Sequence, residues 1–292
     1  MATETSLPAA TSSRLPSGVA IQPRRFDFRD LDRIPQYWFA NNPILTHTEN
    51  AFSILIPPGE RFFIRSVQRY ADRAADPELA NLIRAFVQQE ALHTRAHNAF
   101  NASLARFGVD VDREIAYADR FMAALGKYLP ARMQLAATVF LEHLTATGAH
   151  LLFTEPRIAD AMHPEMRRFW RWHAAEELEH KAVAFDLYRQ IGGGYVVRVV
   201  SAIATLVLLA FPFVQIARRM MRADPTQVTG EIRRGAREMN RIAMRPQLRM
   251  IAAYFRPGFH PWKCHDESYL FGWYASPDGV APGAGAGTTT SG

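Results

Sequence analysis

Two glutamates in this chain are each followed, three residues later, by a histidine: Glu90-Ala91-Leu92-His93 and Glu177-Leu178-Glu179-His180. Residues three apart on an α-helix share a face, so each pair can aim one carboxylate and one imidazole at a single point. Buried carboxylates repel one another and are tolerated only when compensated. A chain that carries this pattern on two long helices is therefore constrained to bring those helices together around something positive.

The surrounding sequence is helical. Pro57-Pro58-Gly59 precedes a periodic run from Glu60 to about Ala74, and Ala75-Asp76-Pro77 is a turn with proline suited to the first helical position. A second helix is expected from Pro77 to about Phe107, stopping at Gly108. A shorter one lies between Asp112 and Leu125, and a third long helix runs from about Pro130 to Phe153, broken by Thr154-Glu155-Pro156. A fourth starts near His163-Pro164 and ends at Gly192-Gly193-Gly194. No segment alternates with period two for long enough to argue a sheet, and no repeat of 20–50 residues is present. The expected class is all-α: an antiparallel four-helix bundle over residues 23–194, an additional hydrophobic helix over 195–222 and a basic C-terminal helical segment over 223–276. Residues 1–22 and 277–292, rich in Ser, Thr, Ala, Gly and Pro, read as disordered tails.

The remaining bundle helices each offer one more glutamate. Glu60 sits fifteen residues before Ala75 and Glu90 fifteen after it, so in an antiparallel hairpin the two meet at one height. Glu142 lies about as far before the end of the third helix as Glu177 lies after the start of the fourth. One Glu from each of two helices plus Glu-x-x-His from each of the other two is the inventory of a carboxylate-bridged dinuclear metal site. Carboxylates are hard donors that can bridge two cations, and imidazole suits iron, zinc and copper. His173, four residues before Glu177 and seven before His180, shares their face and is a further candidate ligand. His97 shares the face of Glu90 and His93, as an outer partner or an alternative ligand.

Other polar residues are assigned elsewhere. Glu176 and Glu179 neighbour the motif but point away from it, toward salt bridges or solvent. Glu49, near His47, precedes the first expected helix and is the fallback for Glu60. His143 faces about 100° away from Glu142, as the helical rotation requires. His143 and His150 are read as polar core or surface. The run Phe259-His260-Pro261-Trp262-Lys263-Cys264-His265-Asp266-Glu267 is read as a cap or packing segment rather than a zinc site. Phe63, Phe86, Phe140 and Trp170 are expected in the core, where some can line an apolar pocket.

The net charge of +6 is not spread evenly. Residues 218–263 hold 11 Lys and Arg against 3 acids, whereas residues 1–198 are nearly neutral. This basic segment follows the nineteen uncharged residues Val199–Ala217, about 28 Å of helix and close to the hydrocarbon thickness of a bilayer. The expectation is a membrane-associated helix with arginines at anionic headgroups; a buried helix or a homodimer interface is the alternative. Nucleic acid is not an expected partner. The single cysteine, Cys264, fits a reducing compartment, and the N-terminal residues lack the basic and apolar regions of a secretory signal. A cytoplasmic location, at the inner face of the membrane, follows.

The motifs Pro57-Pro58-Gly59-Glu60, Glu90-Ala91-Leu92-His93, Trp172-His173-Ala174-Ala175-Glu176-Glu177-Leu178-Glu179-His180-Lys181-Ala182-Val183-Ala184-Phe185-Asp186 and Arg256-Pro257-Gly258-Phe259-His260-Pro261-Trp262 resemble the bacterial family of predicted metal-dependent hydrolases. The ligand pattern is also similar to that of ferritin-like di-iron oxygenases. His-x-x-x-Glu-x-x-His on the fourth helix is similar to the para-aminobenzoate N-oxygenase group. The resemblance implies Glu60, Glu90, His93, Glu142, His173, Glu177 and His180 as metal ligands. The leading expectation is a non-haem di-iron oxidoreductase acting on an apolar or aromatic small molecule with an external electron donor. The alternative is a dinuclear hydrolase, with manganese or zinc, in which the metals lower the pKa of a water.

Overall fold

The computed structural model describes residues 15–279. Among the described residues there is no β-strand, so the fold is all-α as expected. Helix α1 spans Pro43–Gln68, α2 Pro77–Ser103, α3 Val111–Tyr128 and α4 Ala131–Thr154. The short α5, Pro156–Asp160, leads into α6, Pro164–His180, and α7, Val183–Gln190. The long α8, Tyr195–Ala223, and α9, Gly230–Tyr254, precede α10, Glu267–Tyr274. Helix α1 packs along α2 and α4 along α6, while α8 and α9 lie over α1 and α4.

The first helix departs from expectation. It begins seventeen residues before Glu60, at Pro43, where Asn42 caps it by accepting from the N–H groups of Ile44 and Leu45. Pro57 and Pro58 lie inside it rather than before it. Proline lacks the N–H that would reach back four residues, so Pro57 leaves the Ser53 carbonyl without its helical donor. The side chain of Asn101, on α2, donates to that carbonyl at 3.0 Å. A tertiary contact thus replaces the missing backbone bond, and the helix continues.

Helix α2 starts as expected, with Asp76 accepting from Glu78 N–H and Pro77 in the first turn. It passes into a 3₁₀ turn, Leu104–Phe107, and stops at Gly108, whose φ is +80°. The expected fourth helix is instead two, α6 and α7, interrupted at Lys181-Ala182. At the break the Lys181 ammonium is buried, 2.6 Å from Asp266 and 4.4 Å from the Trp262 ring centre. After α7, Gly193 is required by space: a Cβ there would lie 2.3 Å from the Tyr188 carbonyl.

Of the N-terminal tail expected over 1–22, residues 1–14 lie outside the described residues. From Leu15 onward the chain packs on the helices: Val19 and Phe26 are buried, and Gln22 N–H donates to Glu179. The C-terminal tail expectation falls, from residue 280, outside the described residues. Two apolar clusters flank the centre of the helices. One gathers Trp38, Phe100, Phe169 and Trp172, the other Phe62, Phe86, Phe140 and Tyr188. Phe63 belongs to the second and Trp170 to the first.

Candidate metal centre

The seven candidate residues converge at the seam between these clusters. Glu60 comes from α1, Glu90 and His93 from α2, Glu142 from α4, and His173, Glu177 and His180 from α6. All are buried. Glu60, His93 and His173 form one trio whose ligand atoms lie within 4.8 Å of one another, and Glu90, Glu177 and His180 form a second. Glu142 joins the second trio through its Oε2, 3.3 Å from His180 Nε2, and Glu90 Oε1 is equally close to the same nitrogen.

Glu177 links the two trios. Its Oε1 lies 3.1 Å from His173 Nε2 and 3.6 Å from His93 Nδ1, while its Oε2 lies 3.5 Å from His180 Nε2. Glu60 Oε1 lies 3.6 Å from His93 Nδ1. Thr94 donates to the other Glu60 oxygen at 2.7 Å, and Thr145 donates to Glu177 Oε2.

The donor atoms that face inward are unpaired. Glu60 Oε1, both oxygens of Glu90 and of Glu142, His93 Nδ1, His173 Nε2 and His180 Nε2 are buried without a hydrogen-bond partner. Buried polar atoms are ordinarily satisfied, so this many orphans aimed at one space fit a cation site. The electrostatics agree. Burial, followed by the neighbouring carboxylates, pushes Glu60 and Glu90 well above the usual range, and burial pushes Glu142 up to about 7. Glu177 pays the same burial penalty, yet His180 and His173 hold it well below the usual range. His180 is held well above its usual range by Glu142 and Glu177, against the penalty of its own burial. The imidazole proton thus supplies the positive charge that a metal would bring.

An outer layer fixes the histidines. Asn101 uses its amide nitrogen on the Ser53 carbonyl, so its oxygen accepts from Ser53 Oγ at 2.7 Å. Ser53 Oγ can then accept from His97 Nδ1–H, 2.8 Å away, which leaves His97 Nε2 to accept from His173 Nδ1 at 3.1 Å. With Nδ1 so engaged, Nε2 is the His173 nitrogen turned toward the two trios, the one a metal would take. Gln89 does the same for His180: its amide nitrogen donates to Glu179 at 2.8 Å, and its oxygen accepts from His180 Nδ1 at 3.0 Å. His93 turns its Nε2 to Glu176, 3.1 Å away.

Glu176 and Glu179 are salt-bridged rather than solvated. Both are buried against Arg24, whose backbone N–H and guanidinium reach Glu176 at 2.9 and 3.4 Å. The guanidinium lies 2.8 Å from Glu179. Tyr274 Oη also donates to Glu179, at 2.6 Å. The sequence reading missed Arg24, Gln89, Ser53 and Asn101. Only Gln89, a polar residue one position before Glu90, carried a local hint.

The remaining candidates lie elsewhere. Glu49 is inside α1, eleven residues from Glu60, and takes no part in either trio. His47 pairs with Asp224 at 2.7 Å. His97 serves as the partner of His173. His143 is buried with its Nε2 2.9 Å from the Met250 carbonyl, and His150 pairs with Asp266. Of the 259–267 run, Phe259 enters the core, His260 meets Asp186 at 3.1 Å and Asp266 meets Lys181. Two of the four aromatic candidates flank the histidines: Phe86 packs edge-on to His180 with centroids 4.9 Å apart, and Trp170 lies 5.9 Å from His173.

No curated protein and no solved structure matches the chain. A family described as predicted metal-dependent hydrolase matches residues 22–265, which takes in Arg24 and every residue of the two trios. With a family match over most of its length, and with buried Glu and His groups that could hold a metal ion, this chain belongs to the predicted metal-dependent hydrolase family.

Proposed function

We propose that the seven converging residues hold two metal ions, that these are iron, and that the protein is a ferritin-like di-iron oxidoreductase acting on an apolar or aromatic small molecule. The carrying observation is Glu177, whose two oxygens face the two trios, as a bridging carboxylate would. In this reading one ion takes Glu60, His93 and His173, the other takes Glu90, Glu142 and His180, and Glu177 serves both. Four carboxylates nearly neutralise two divalent cations, and a set of oxygen and imidazole donors without thiolate suits iron. Bound iron supplies the redox chemistry that side chains lack, with electrons from an external donor.

The protein's own part is orientation and exclusion of water. Gln89 and His97 fix the tautomers of His180 and His173, and the aromatic clusters wall the centre with apolar rings. The hydrolase reading uses the same ligands to lower the pKa of a water. It agrees with the family description, but the site's own carboxylates give a phosphate no cationic clamp.

Anaerobic reconstitution with Fe(II), followed by exposure to oxygen and absorbance in the near ultraviolet, tests the proposal. Two irons per chain and an oxo-bridge band that appears on oxygen exposure are expected. Turnover of an ester or amide with zinc or manganese under strict anaerobiosis would instead establish the hydrolase.

A further inference from the structure

Helix α8 is inside out. The residues it buries are Arg198, Ser201, Ala202, Thr205, Pro212, Ile216 and Met220, mostly small or polar. Many of its large apolar side chains face outward: Val196, Val207 and Phe211 are 70%, 66% and 61% exposed, and Val200, Ile203 and Val214 join them. The positions 196, 200, 203, 207, 211 and 214 follow one another at helical steps of three and four, so they form one continuous ridge. The next two steps along it are Arg218 and Arg222, both exposed. A water-facing helix shows the opposite pattern, and an apolar ridge of this length marks an interaction surface.

The same end of α8 carries a second feature. An open cleft of about 420 Å³ lies between α1 and α8, walled by Phe213, Val214 and Ala217 and flanked by Arg218 and Arg222. Neither arginine makes an ion pair or a hydrogen bond among the described residues, in contrast to Arg219, which is held by Glu114. Apolar walls beneath two unpaired guanidinium groups suit an anionic amphiphile. A short connection after this end, the first turns of α9 expose Arg233, Arg234 and Arg237.

We infer that the α8 ridge docks the protein flat on an anionic phospholipid surface. The ridge enters the acyl boundary and Arg218 and Arg222 meet headgroup phosphates. The helix is long and apolar enough to cross a bilayer. However, its buried residues are spread from Arg198 to Met220, so it is fastened to the helices beneath over its whole length and lies on the membrane rather than spanning it. A second copy of the chain is the poorer occupant, because each copy would bring the same surplus of arginine to the contact.

Flotation of the full-length protein with vesicles tests this, and it reads binding without any turnover, so the result is independent of the metal chemistry. Vesicles of phosphatidylcholine with about 30% phosphatidylglycerol should carry the protein up the gradient, and pure phosphatidylcholine should not. Removing both headgroup contacts (Arg218→Ala with Arg222→Ala) should lower the partition coefficient by about 20- to 30-fold. Val207→Glu should lower it at least about tenfold with unchanged circular dichroism and metal content. No flotation of the wild type with anionic vesicles at low salt would overturn the proposal. So would equal flotation of Val207→Glu, or a wild-type dimer that Val207→Glu splits while vesicles bind neither.

Discussion

Arg24→Ala probes the least anticipated part of the candidate metal centre. The guanidinium lies 2.8 Å from Glu179 and 3.4 Å from Glu176, and all three side chains are buried. At an effective dielectric of about 20 each contact is worth about 5–6 kcal/mol of gross attraction. Desolvation of the arginine offsets much of that sum. Its removal, however, leaves Glu176 and Glu179 buried without the arginine between them, and breaking a buried pair in this way costs about 3–5 kcal/mol net. The melting temperature, followed by circular dichroism, should fall by roughly 10 °C for a chain of this size. Glu176 and Glu179 also steady His93 and, through Gln89, His180, so metal affinity should fall by about 10- to 100-fold. Arg24→Met combined with Glu179→Gln removes the opposed charges together and should recover part of the lost stability. A melting temperature within about 2 °C of wild type for Arg24→Ala would refute the buried network, whatever the metal content.

Three further outcomes are expected. Glu90→Gln removes a carboxyl that burial and Glu142 push well above its usual range; it should raise the stability of the metal-free protein by about 1–3 kcal/mol while abolishing stabilisation by added metal, and a lowered metal-free melting temperature would contradict this. Glu49 has no hydrogen-bond or ion-pair partner among the described residues, and burial raises its carboxyl from 4.5 to about 7. The folded state therefore binds this proton more tightly, and the stability it contributes is present below 4.5 and lost as pH rises through 7. Glu49→Gln should match wild type at pH near 4.5 and exceed it above 7 by about 1–2 kcal/mol after allowance for partial exposure; equal urea midpoints at both ends of that range would rule the effect out. Phe169→Ala should cost about 3–5 kcal/mol, because Phe169 is fully buried against Phe26 and Phe28 with ring centres 5.3 and 5.0 Å away. Faster hydrogen exchange over residues 24–29 should accompany it, and unchanged exchange there would show that the N-terminal run is anchored elsewhere.

The sequence by itself determined which faces would meet. Glu-x-x-His at three-residue spacing fixes two ligands to one helical face wherever the helix lies, and the level positions of Glu60 and Glu142 follow from counting residues to the turns. Helical periodicity likewise settled the all-α class, because it depends on local spacing alone. Tertiary structure decided what local rules cannot express. Pro57 reads as a breaker until Asn101 arrives from another helix to satisfy the Ser53 carbonyl. Arg24 carries no pattern of its own and becomes the counter-charge of Glu176 only when the chain folds back across a sequence separation of 152. The run Val199–Ala217 announces its hydrophobicity in sequence, yet only packing against α1 and α4 shows which of its faces is turned to water. The distinction is physical: spacing along one helix is set by covalent geometry, whereas the partner of a buried charge or an orphaned carbonyl is set by whichever distant segment the collapsed chain places beside it.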